Sequence, residues 1–284
     1  MKLIWLVLLI FLISSCTREQ VIDNLSFPAA ESKAAIYCIL TPGDSVFLGI
    51  KTLQPINAES KYSTVGIATA QVIIENTTTH QQARMVYIGR DGLYGCSQRN
   101  MPVLADNNYQ LIVTIPNSSV LKSSCHIPVQ AASVLTSAYG EPYTDIFSQY
   151  RRVTLTWHDV SFANTQYNYF LAEKFIHKQP SSGELDTLRG FDLNGEITQS
   201  NGMIYYNGRT LDSGYPHTYY LYTSDSNLFK FLKMSKQMEH TLTSRGATDF
   251  FGAYPGVVPE FTNVENGYGV FGAYLRTEKE VIFQ

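Results

Sequence analysis

The sequence predicts a mainly β protein, in which an N-terminal immunoglobulin- or prealbumin-like sandwich is followed by a second β-rich domain with one helix. Three observations predict this class. Apolar and polar residues alternate with period two in short runs along both halves of the chain, as in strands with one buried face. Turn signals rich in Gly, Asn and Asp separate these runs. Aromatic residues make up 13% of the 284 residues, and such residues favour half-buried pleated surfaces.

Composition narrows the class of function. Hydrophobic residues make up 44% of the sequence, which is enough for a packed core and excludes a wholly disordered chain. Lys and Arg total 21 against 24 Asp and Glu, a net charge of −3, and no basic stripe stands out. We therefore expect no nucleic-acid partner.

The first 15 residues have the pattern of a bacterial signal peptide. Lys2 precedes an unbroken apolar run over residues 3–13, which is too short to cross a bilayer core of about 30 Å. The run ends in Ile13-Ser14-Ser15-Cys16, which matches a lipobox, where small residues precede a cysteine that takes a diacylglyceryl group on sulfur. Position, length and flanking residues argue against an ordinary signal peptide or an uncleaved anchor. We therefore expect residues 1–15 to be removed, Cys16 to be lipidated and residues 16–27 to form a tether.

The residue after the cysteine bears on location. Asp at this position usually retains a lipoprotein in the inner membrane of Gram-negative bacteria, whereas this chain has Thr17. We therefore expect a lipid-anchored protein of the outer membrane. Only two acidic residues, Glu19 and Asp23, follow the cysteine closely, so the sequence leaves the periplasmic and the extracellular face open.

The first predicted domain is a β-sandwich over residues 28–130. Alternation is clearest at Ala70-Gln71-Val72-Ile73-Ile74 and Tyr109-Gln110-Leu111-Ile112-Val113. Pro42-Gly43 and Asp91-Gly92 predict turns. Further strands are predicted at residues 35–40, 45–52, 83–88 and 121–127.

Residues 131–152 are predicted to be either a linker or a packed strap between the domains. The second domain, residues 153–284, begins with an alternating strand that contains Trp157. Asn194-Gly195 and Asn207-Gly208 predict hairpin turns in it. Its other strands are predicted at residues 167–176, 203–206, 218–223, 270–276 and 280–283.

One segment of the second domain, residues 225–243, breaks the period of two and predicts a helix. Ser224 or Asp225 is suited to cap its N-terminus, and Gly246 is suited to end it. Its apolar residues recur at helical spacing and predict a face packed on the core: Leu228, Phe231, Leu232, Met238 and Leu242.

Three cysteines remain after Cys16: Cys38, Cys96 and Cys125. Each lies in or beside a predicted strand, so buried free thiols are the favoured interpretation. A Cys38–Cys125 disulfide is the alternative, because secreted proteins meet oxidising conditions.

The order of these features resembles a family of Bacteroidota lipoproteins defined only as domain-of-unknown-function family 4249. The resemblance spans nearly the whole mature chain, although its motifs are short and the middle is divergent. The segments that carry it are Val21-Ile22-Asp23, Ala68-Thr69-Ala70-Gln71-Val72-Ile73-Ile74, Gly92-Leu93-Tyr94, Asn108-Tyr109-Gln110-Leu111 and Gly267-Tyr268-Gly269-Val270-Phe271-Gly272-Ala273-Tyr274.

The resemblance implies a small β-sandwich followed by a second β-rich domain. Members are often encoded beside TonB-dependent outer-membrane transporters, so it also implies an accessory lipoprotein of such a transporter. It implies no enzymatic activity.

No motif in the sequence has the spacing of an active site. Gly267-x-Gly269-x-x-Gly272 has the letters of a dinucleotide fingerprint, but a strand is predicted to follow it where that chemistry needs a helix. We therefore expect tight strand packing or a bulge there. The six histidines are scattered without zinc spacing, so we expect no metal and no cofactor other than the lipid on Cys16.

The better candidate for function is an aromatic segment between the helix and the last strand. It contains Phe250, Phe251, Tyr254 and Phe261 among Gly and Pro residues. Such a segment must either fold back on its own domain or meet a partner. We take these four residues as the candidate contact with a partner or ligand.

These observations predict a non-enzymatic lipoprotein that contacts an outer-membrane β-barrel transporter. The alternative is a stand-alone surface module that binds a glycan or peptide. A weaker third hypothesis is a hydrolase whose site matches none of the motifs sought. Four acids could form a glycosidase pair, but solvated hairpin acids explain them better: Glu184, Asp186, Asp192 and Glu196.

Overall fold

The computed structural model describes residues 33–53, 65–89, 91–144, 149–161, 167–178, 185–192, 196–200, 202–211, 217–242 and 261–281. The fold is mainly β, as the sequence predicts, and these ranges contain one helix. The strands are β1 (Lys33–Leu40), β2 (Val46–Leu53), β3 (Val65–Gly66), β4 (Gln71–Asn76), β5 (Gln81–Tyr87), β6 (Leu93–Cys96), β7 (Asn108–Thr114), β8 (Leu121–His126), β9 (Thr136–Tyr139), β10 (Tyr143–Thr144), β11 (Gln149–His158), β12 (Asn168–Lys178), β13 (Leu185–Asp192), β14 (Glu196–Ser200), β15 (Met203–Leu211), β16 (His217–Ser224) and β17 (Tyr268–Val281), and the helix is α1 (Ser226–Leu242).

The first half of the chain, together with the last strand β17, forms a two-layered sandwich. One layer has the strand order β17-β1-β2-β6 and the other β5-β4-β7-β8, and β5 pairs with both β6 and β4 at one corner. Ile36 and Leu48 of one layer and Leu111 of the other are fully buried in a common core. At the opposite corner, the Glu265 N–H donates to the Lys122 carbonyl of β8 at 2.8 Å. The corner contact closes the sandwich around its core.

Two tyrosines in the motifs of the family resemblance secure the loops of this sandwich. The Tyr94 hydroxyl accepts from the Ala70 N–H at 2.9 Å and donates to the Ile67 carbonyl at 3.0 Å. The Tyr109 hydroxyl accepts from the Leu104 N–H and donates to the Pro102 carbonyl, both at 2.9 Å. Both rings are buried, so each tyrosine joins the core to a loop through two backbone hydrogen bonds.

Strand β17, at the C-terminal end of the described residues, takes part in both sandwiches. Residues 268–273 pair in parallel with residues 35–40 of β1, and residues 274–281 pair antiparallel with β16. Accordingly, Phe271 and Ala273 lie in the first core, whereas Val281 lies in the second. One strand thus carries a continuous hydrogen-bonded ladder from the first sandwich into the second.

The second sandwich encloses the other core. One layer is β13-β12-β16-β17, and the other is a separate sheet with the order β10-β11-β15-β14, in which β9 also pairs with β11. Trp157 of β11 is fully buried there, with its ring centroid 5.8 Å from that of Tyr169 in an edge-to-face arrangement. The burial of Trp157 agrees with its alternating position in the sequence.

Helix α1 packs on the sheet where the two halves join. Asp225 caps it: the carboxylate accepts from the N–H groups of Asn227 at 2.7 Å and Leu228 at 2.9 Å, and also from the Ala273 N–H of β17. Phe231 packs on Tyr37 of β1, with ring centroids 5.7 Å apart. Within the ranges given above, no helix is long and apolar enough to span a bilayer.

The pairing of β17 with β1 differs from the arrangement of two separate domains that the sequence predicts. The sequence predicts two β-rich domains that meet near residues 128–152, each with its own strands, but β1 and β17 join strands of both halves in one sheet. The two cores are nevertheless distinct, so the domain boundaries at residues 28–130 and 153–284 stay a prediction. The region predicted as a linker or strap holds strands β9 and β10, which extend the second sheet by pairing with β11.

Two predicted hairpins are wrong. Asn207-Gly208 lies inside β15, where Val153 is opposite Gly208, because tertiary pairing overrides the turn propensity of the dipeptide. Asn194-Gly195 lies outside the described residues, but the strands on either side of it, β13 and β14, belong to different sheets and so do not pair as a hairpin. Pro42-Gly43 and Asp91-Gly92 do lie in turns between paired strands.

Cys38, Cys96 and Cys125 are free and buried, so the alternative of a Cys38–Cys125 disulfide is not found. Burial raises the pKa of all three thiols. They therefore act as small apolar side chains of the first core.

Candidate functional site

Most of the predicted contact residues lie outside the described ranges, namely Phe250, Phe251 and Tyr254, and so does the lipidation residue Cys16. Phe261 is described. It is half-buried against α1, and its backbone N–H lies 3.1 Å from the Met234 sulfur. The Lys230 ammonium lies 5.8 Å from the centre of its ring. Phe261 therefore folds back on its own domain, and its role in a partner contact stays a prediction.

The first sandwich exposes an apolar patch that we define as Phe47, Val86, Ile88 and Leu93. Phe47 of β2 and Val86 of β5 are both opposite Gly95 of β6, and the Ile88 N–H donates to the Leu93 carbonyl at 2.9 Å. Directly paired residues share a face of the sheet, so these four side chains lie on one outer face. Phe47 is 53% exposed, Val86 66% and Ile88 48%.

Two glycines shape this apolar patch. A Cβ at Gly95 would lie 3.5 Å from both Ile88 Cδ1 and Phe47 Cε1, so these two side chains reach over the glycine from either side. Gly49, opposite Leu93, has no atom within 4 Å of the equivalent position. The apolar patch is therefore contiguous across three strands, with an open notch at Gly49.

Lys51 lies on the same outer face, because it is four residues after Phe47 on β2, and Arg84 lies beside the apolar patch at the corner, where it is opposite Ile73 of β4. An apolar centre with polar residues around it is typical of a protein contact. The sequence carried a partial signal, since Met85-Val86-Tyr87-Ile88 is apolar on both faces of its strand. The register that brings Phe47 beside Val86 is not visible in the sequence.

A cluster of polar side chains lies between the two layers of the second sandwich. One Glu173 carboxylate oxygen accepts from His217 Nδ1 at 2.6 Å, from the Tyr219 hydroxyl at 2.9 Å and from the Thr210 hydroxyl. His217 is fully buried, and Thr210 and Tyr219 are nearly so. Burial and the neighbouring Glu173 charge raise the pKa of Tyr219, which therefore stays a neutral donor.

This polar cluster has a structural explanation. Glu173 and His217 come from β12 and β16, whereas Thr210 comes from β15 of the facing sheet. The hydrogen bonds therefore join the two layers across the core, and each buried donor meets the same carboxylate. The His217 ring is enclosed in this cluster, and Glu173 uses one carboxylate oxygen for all three bonds.

The remaining sequence candidates show no site in the described ranges. Gly267-x-Gly269-x-x-Gly272 lies at and within β17, where Gly272 allows Leu228 of α1 to approach the strand. Asp186 and Asp192 lie on β13, and Glu196 lies on β14 of the other sheet. Among the residues with described placement, no group of three or more His, Cys, Asp or Glu could hold a metal ion.

Comparison with known proteins identifies the family. The model of a domain of unknown function, DUF4249, matches residues 22–280. A search of curated proteins gives no match. The match covers the tyrosines that secure the first sandwich, the strands of both cores and the closing glycine segment. Because the family model spans most of the sequence, this chain belongs to the DUF4249 family.

Proposed function

We propose that this protein is a non-enzymatic outer-membrane lipoprotein that acts as an accessory subunit of a TonB-dependent transporter. The observation that carries the proposal is the exposed apolar patch on the first sandwich. Apolar side chains that are exposed singly are ordinary on a protein surface, whereas contiguous exposed apolar patches commonly mark protein contacts. Phe47, Val86 and Ile88 form one here.

The other support comes from the sequence. The lipobox at Ile13-Ser14-Ser15-Cys16 supplies a membrane anchor, and two or more acyl chains hold a protein at a membrane almost irreversibly. The resemblance to lipoproteins encoded beside energy-coupled transporters supplies the kind of partner. On this proposal the apolar patch packs on a part of the transporter outside the bilayer.

The test is co-purification from native outer membranes. The variant Phe47→Ser/Val86→Ser/Ile88→Ser should recover at least tenfold less transporter than the wild type, because the contact loses its apolar centre. Leu104→Ser/Leu135→Ser is the matched control, since both leucines are about half exposed and lie outside the apolar patch. Both variants should keep the thermal midpoint of the wild type, because they change surface side chains.

Two results would contradict this proposal. In one, native purification recovers no transporter with the wild type, and a stand-alone module that binds a glycan or peptide at the cell surface becomes the better hypothesis. In the other, the transporter is recovered equally with the patch variant and the control, and the contact lies elsewhere. The segment that contains Phe250, Phe251 and Tyr254 is then the next candidate.

A further inference from the structure

The outer face of the second sheet brings together two arginines and two tyrosines. Arg152 of β11 is directly opposite Arg209 of β15, and Tyr143 of β10 is directly opposite Tyr150 of β11. Tyr150 and Arg152 are two residues apart on one strand, so all four side chains lie on the same face of the sheet. Both arginines are exposed, and Tyr143 is 39% exposed.

The arginine pair is unfavourable for the protein alone. Like charges directly opposite each other on antiparallel strands destabilise a sheet, because their Cβ atoms are only about 5 Å apart. Neither guanidinium has an ion-pair partner among the residues that the structure describes. In the register of the strands, the residue directly opposite each of these arginines is the other arginine. Two arginines at directly opposite positions, with no ion pair to a described carboxylate, suit an external anion.

The tyrosines add a stacking surface beside the charge. Their ring centroids are 6.1 Å apart with an interplanar angle of 32°, and the Arg209 guanidinium carbon lies 5.3 Å from the Tyr150 ring centre. Arg209 is thereby held over the ring by a cation–π contact. Tyr143 extends the aromatic surface away from the arginines and presents its ring to solvent.

On β11, the outward-facing residues Tyr150, Arg152 and Thr154 form a row, and Thr154 at its end belongs to a polar pair with Asn207 of β15. The Thr154 hydroxyl donates to Asn207 Oδ1 at 2.9 Å, and these residues are also directly opposite each other. This bond engages the amide oxygen of Asn207, and the NH₂ group of the same exposed side chain is a donor suited to a hydroxyl group of a ligand. The row from Tyr150 to Thr154 is about 13 Å long at 3.3 Å per residue, which suits an extended chain better than a single small anion.

We propose that this face binds a carboxylated oligosaccharide, a chain of uronic acid residues, with Arg152 and Arg209 on one carboxylate. A carboxylate matches the guanidinium fork, a sugar ring stacks on the exposed ring of Tyr143, and hydroxyl groups accept from Asn207. The basic residues among the positions named on this face are Arg152 and Arg209. Nucleic acids and anionic membranes are usually bound by larger clusters of Lys and Arg, so two positive charges favour a small carboxylated ligand. This site is separate from the apolar patch and does not depend on the transporter contact.

The test is calorimetric titration of the full lipidated protein in detergent with tetragalacturonate. The wild type should bind, and Arg152→Gln/Arg209→Gln should bind at least tenfold more weakly, which is about 1.4 kcal/mol. Arg99→Gln/Lys122→Gln is the matched control, because it removes two exposed cationic residues of the first sandwich that lie outside the apolar patch and should leave affinity unchanged. Tyr143→Ala should weaken binding severalfold without changing its dependence on salt.

Two ligand controls identify the chemistry. The methyl-esterified tetramer keeps the sugar rings but lacks the charge, so it should bind at least tenfold more weakly than tetragalacturonate. Vesicles that contain anionic lipid should not compete. The proposal is overturned if wild type does not bind tetragalacturonate, if the ester binds equally well, if the double variant retains full affinity, or if anionic vesicles displace the sugar. None of these results bears on recovery of a transporter through the apolar patch.

Discussion

Gly269 of β17 is directly opposite Ile36 of β1, and a Cβ at position 269 would lie 1.9 Å from the Ile36 carbonyl oxygen. The backbone of Gly269 has a φ of +107°, a conformation that residues with a side chain rarely adopt. Space and conformation therefore both require glycine at the point where the last strand of the protein enters the first sandwich.

Gly269→Ala should lower the free energy of unfolding by about 2–4 kcal/mol, because it adds a steric clash to backbone strain. Denaturant titration measures the loss. Gly49→Ala is the matched control, since Gly49 also lies in a strand of this layer but has open space around it. It should change stability by less than about 1 kcal/mol. Equal effects of the two substitutions would show that the approach of β17 to β1 is not as close as described.

Asp225 should make stability depend on pH. Burial raises the pKa of its carboxyl group from 3.8 to about 6, although three backbone N–H groups lower it. A pKa that is higher in the folded state means that folding takes up a proton. The stabilisation from this uptake is complete below pH 3.8 and is lost as the pH rises through about 6. A pKa difference of about 2 corresponds to about 3 kcal/mol of unfolding free energy.

Asp225→Asn removes this titration. The unfolding free energy of the wild type minus that of the variant should therefore be largest near pH 3.5 and should fall by up to about 3 kcal/mol by pH 7. Denaturant titrations at several pH values measure it, and taking the difference cancels the other titrating groups. A difference that does not change between these pH values would contradict the raised pKa.

Glu173 should be among the most sensitive positions of the second core. Glu173→Leu leaves His217, Thr210 and Tyr219 without their common acceptor, and removal of one partner from a buried polar cluster costs about 3–5 kcal/mol. The thermal midpoint and denaturant titration report the loss. Glu278→Leu, at an exposed position of β17, is the control and should stay within about 1 kcal/mol. If Glu173→Leu were as stable as this control, the cluster would not join the two layers.

Cys16 should carry the lipid of the mature protein. Mass spectrometry should find acyl groups on Cys16 and no residue before it, because the lipobox directs cleavage at that bond. Cys16→Ser should lose these groups and leave the membrane fraction. An unmodified Cys16 in full-length protein from native membranes would contradict the lipoprotein assignment.

Local patterns determined much of the fold in advance. The period-two runs predicted most of the longer strands, and one segment of helical period predicted α1 together with Asp225 as a capping residue. These features depend on neighbours within a few residues, so the sequence states them directly. Short strands such as β9 and β10 were missed, because two to four residues are too few to show a period.

The tertiary structure alone decided which strands pair. The segment Gly267-x-Gly269-x-x-Gly272 does not by itself predict that β17 pairs with β1, which lies more than 200 residues earlier in the sequence. Both candidate surfaces depend on such register. The apolar patch exists because Gly95 stands between Phe47 and Val86, and the arginine pair exists because β11 and β15 align Arg152 with Arg209.

The physical reason is the range of the interactions. Alternation, capping and turn propensity are properties of the backbone and its nearest side chains, and they are readable in the sequence by themselves. The choice of a distant partner strand is made by packing and hydrogen bonding over the whole molecule, and a shift of one residue would move every side chain to the other face. The strands and helix of this protein were therefore largely determined by its sequence patterns, and the surfaces proposed for its contacts were decided only by the fold.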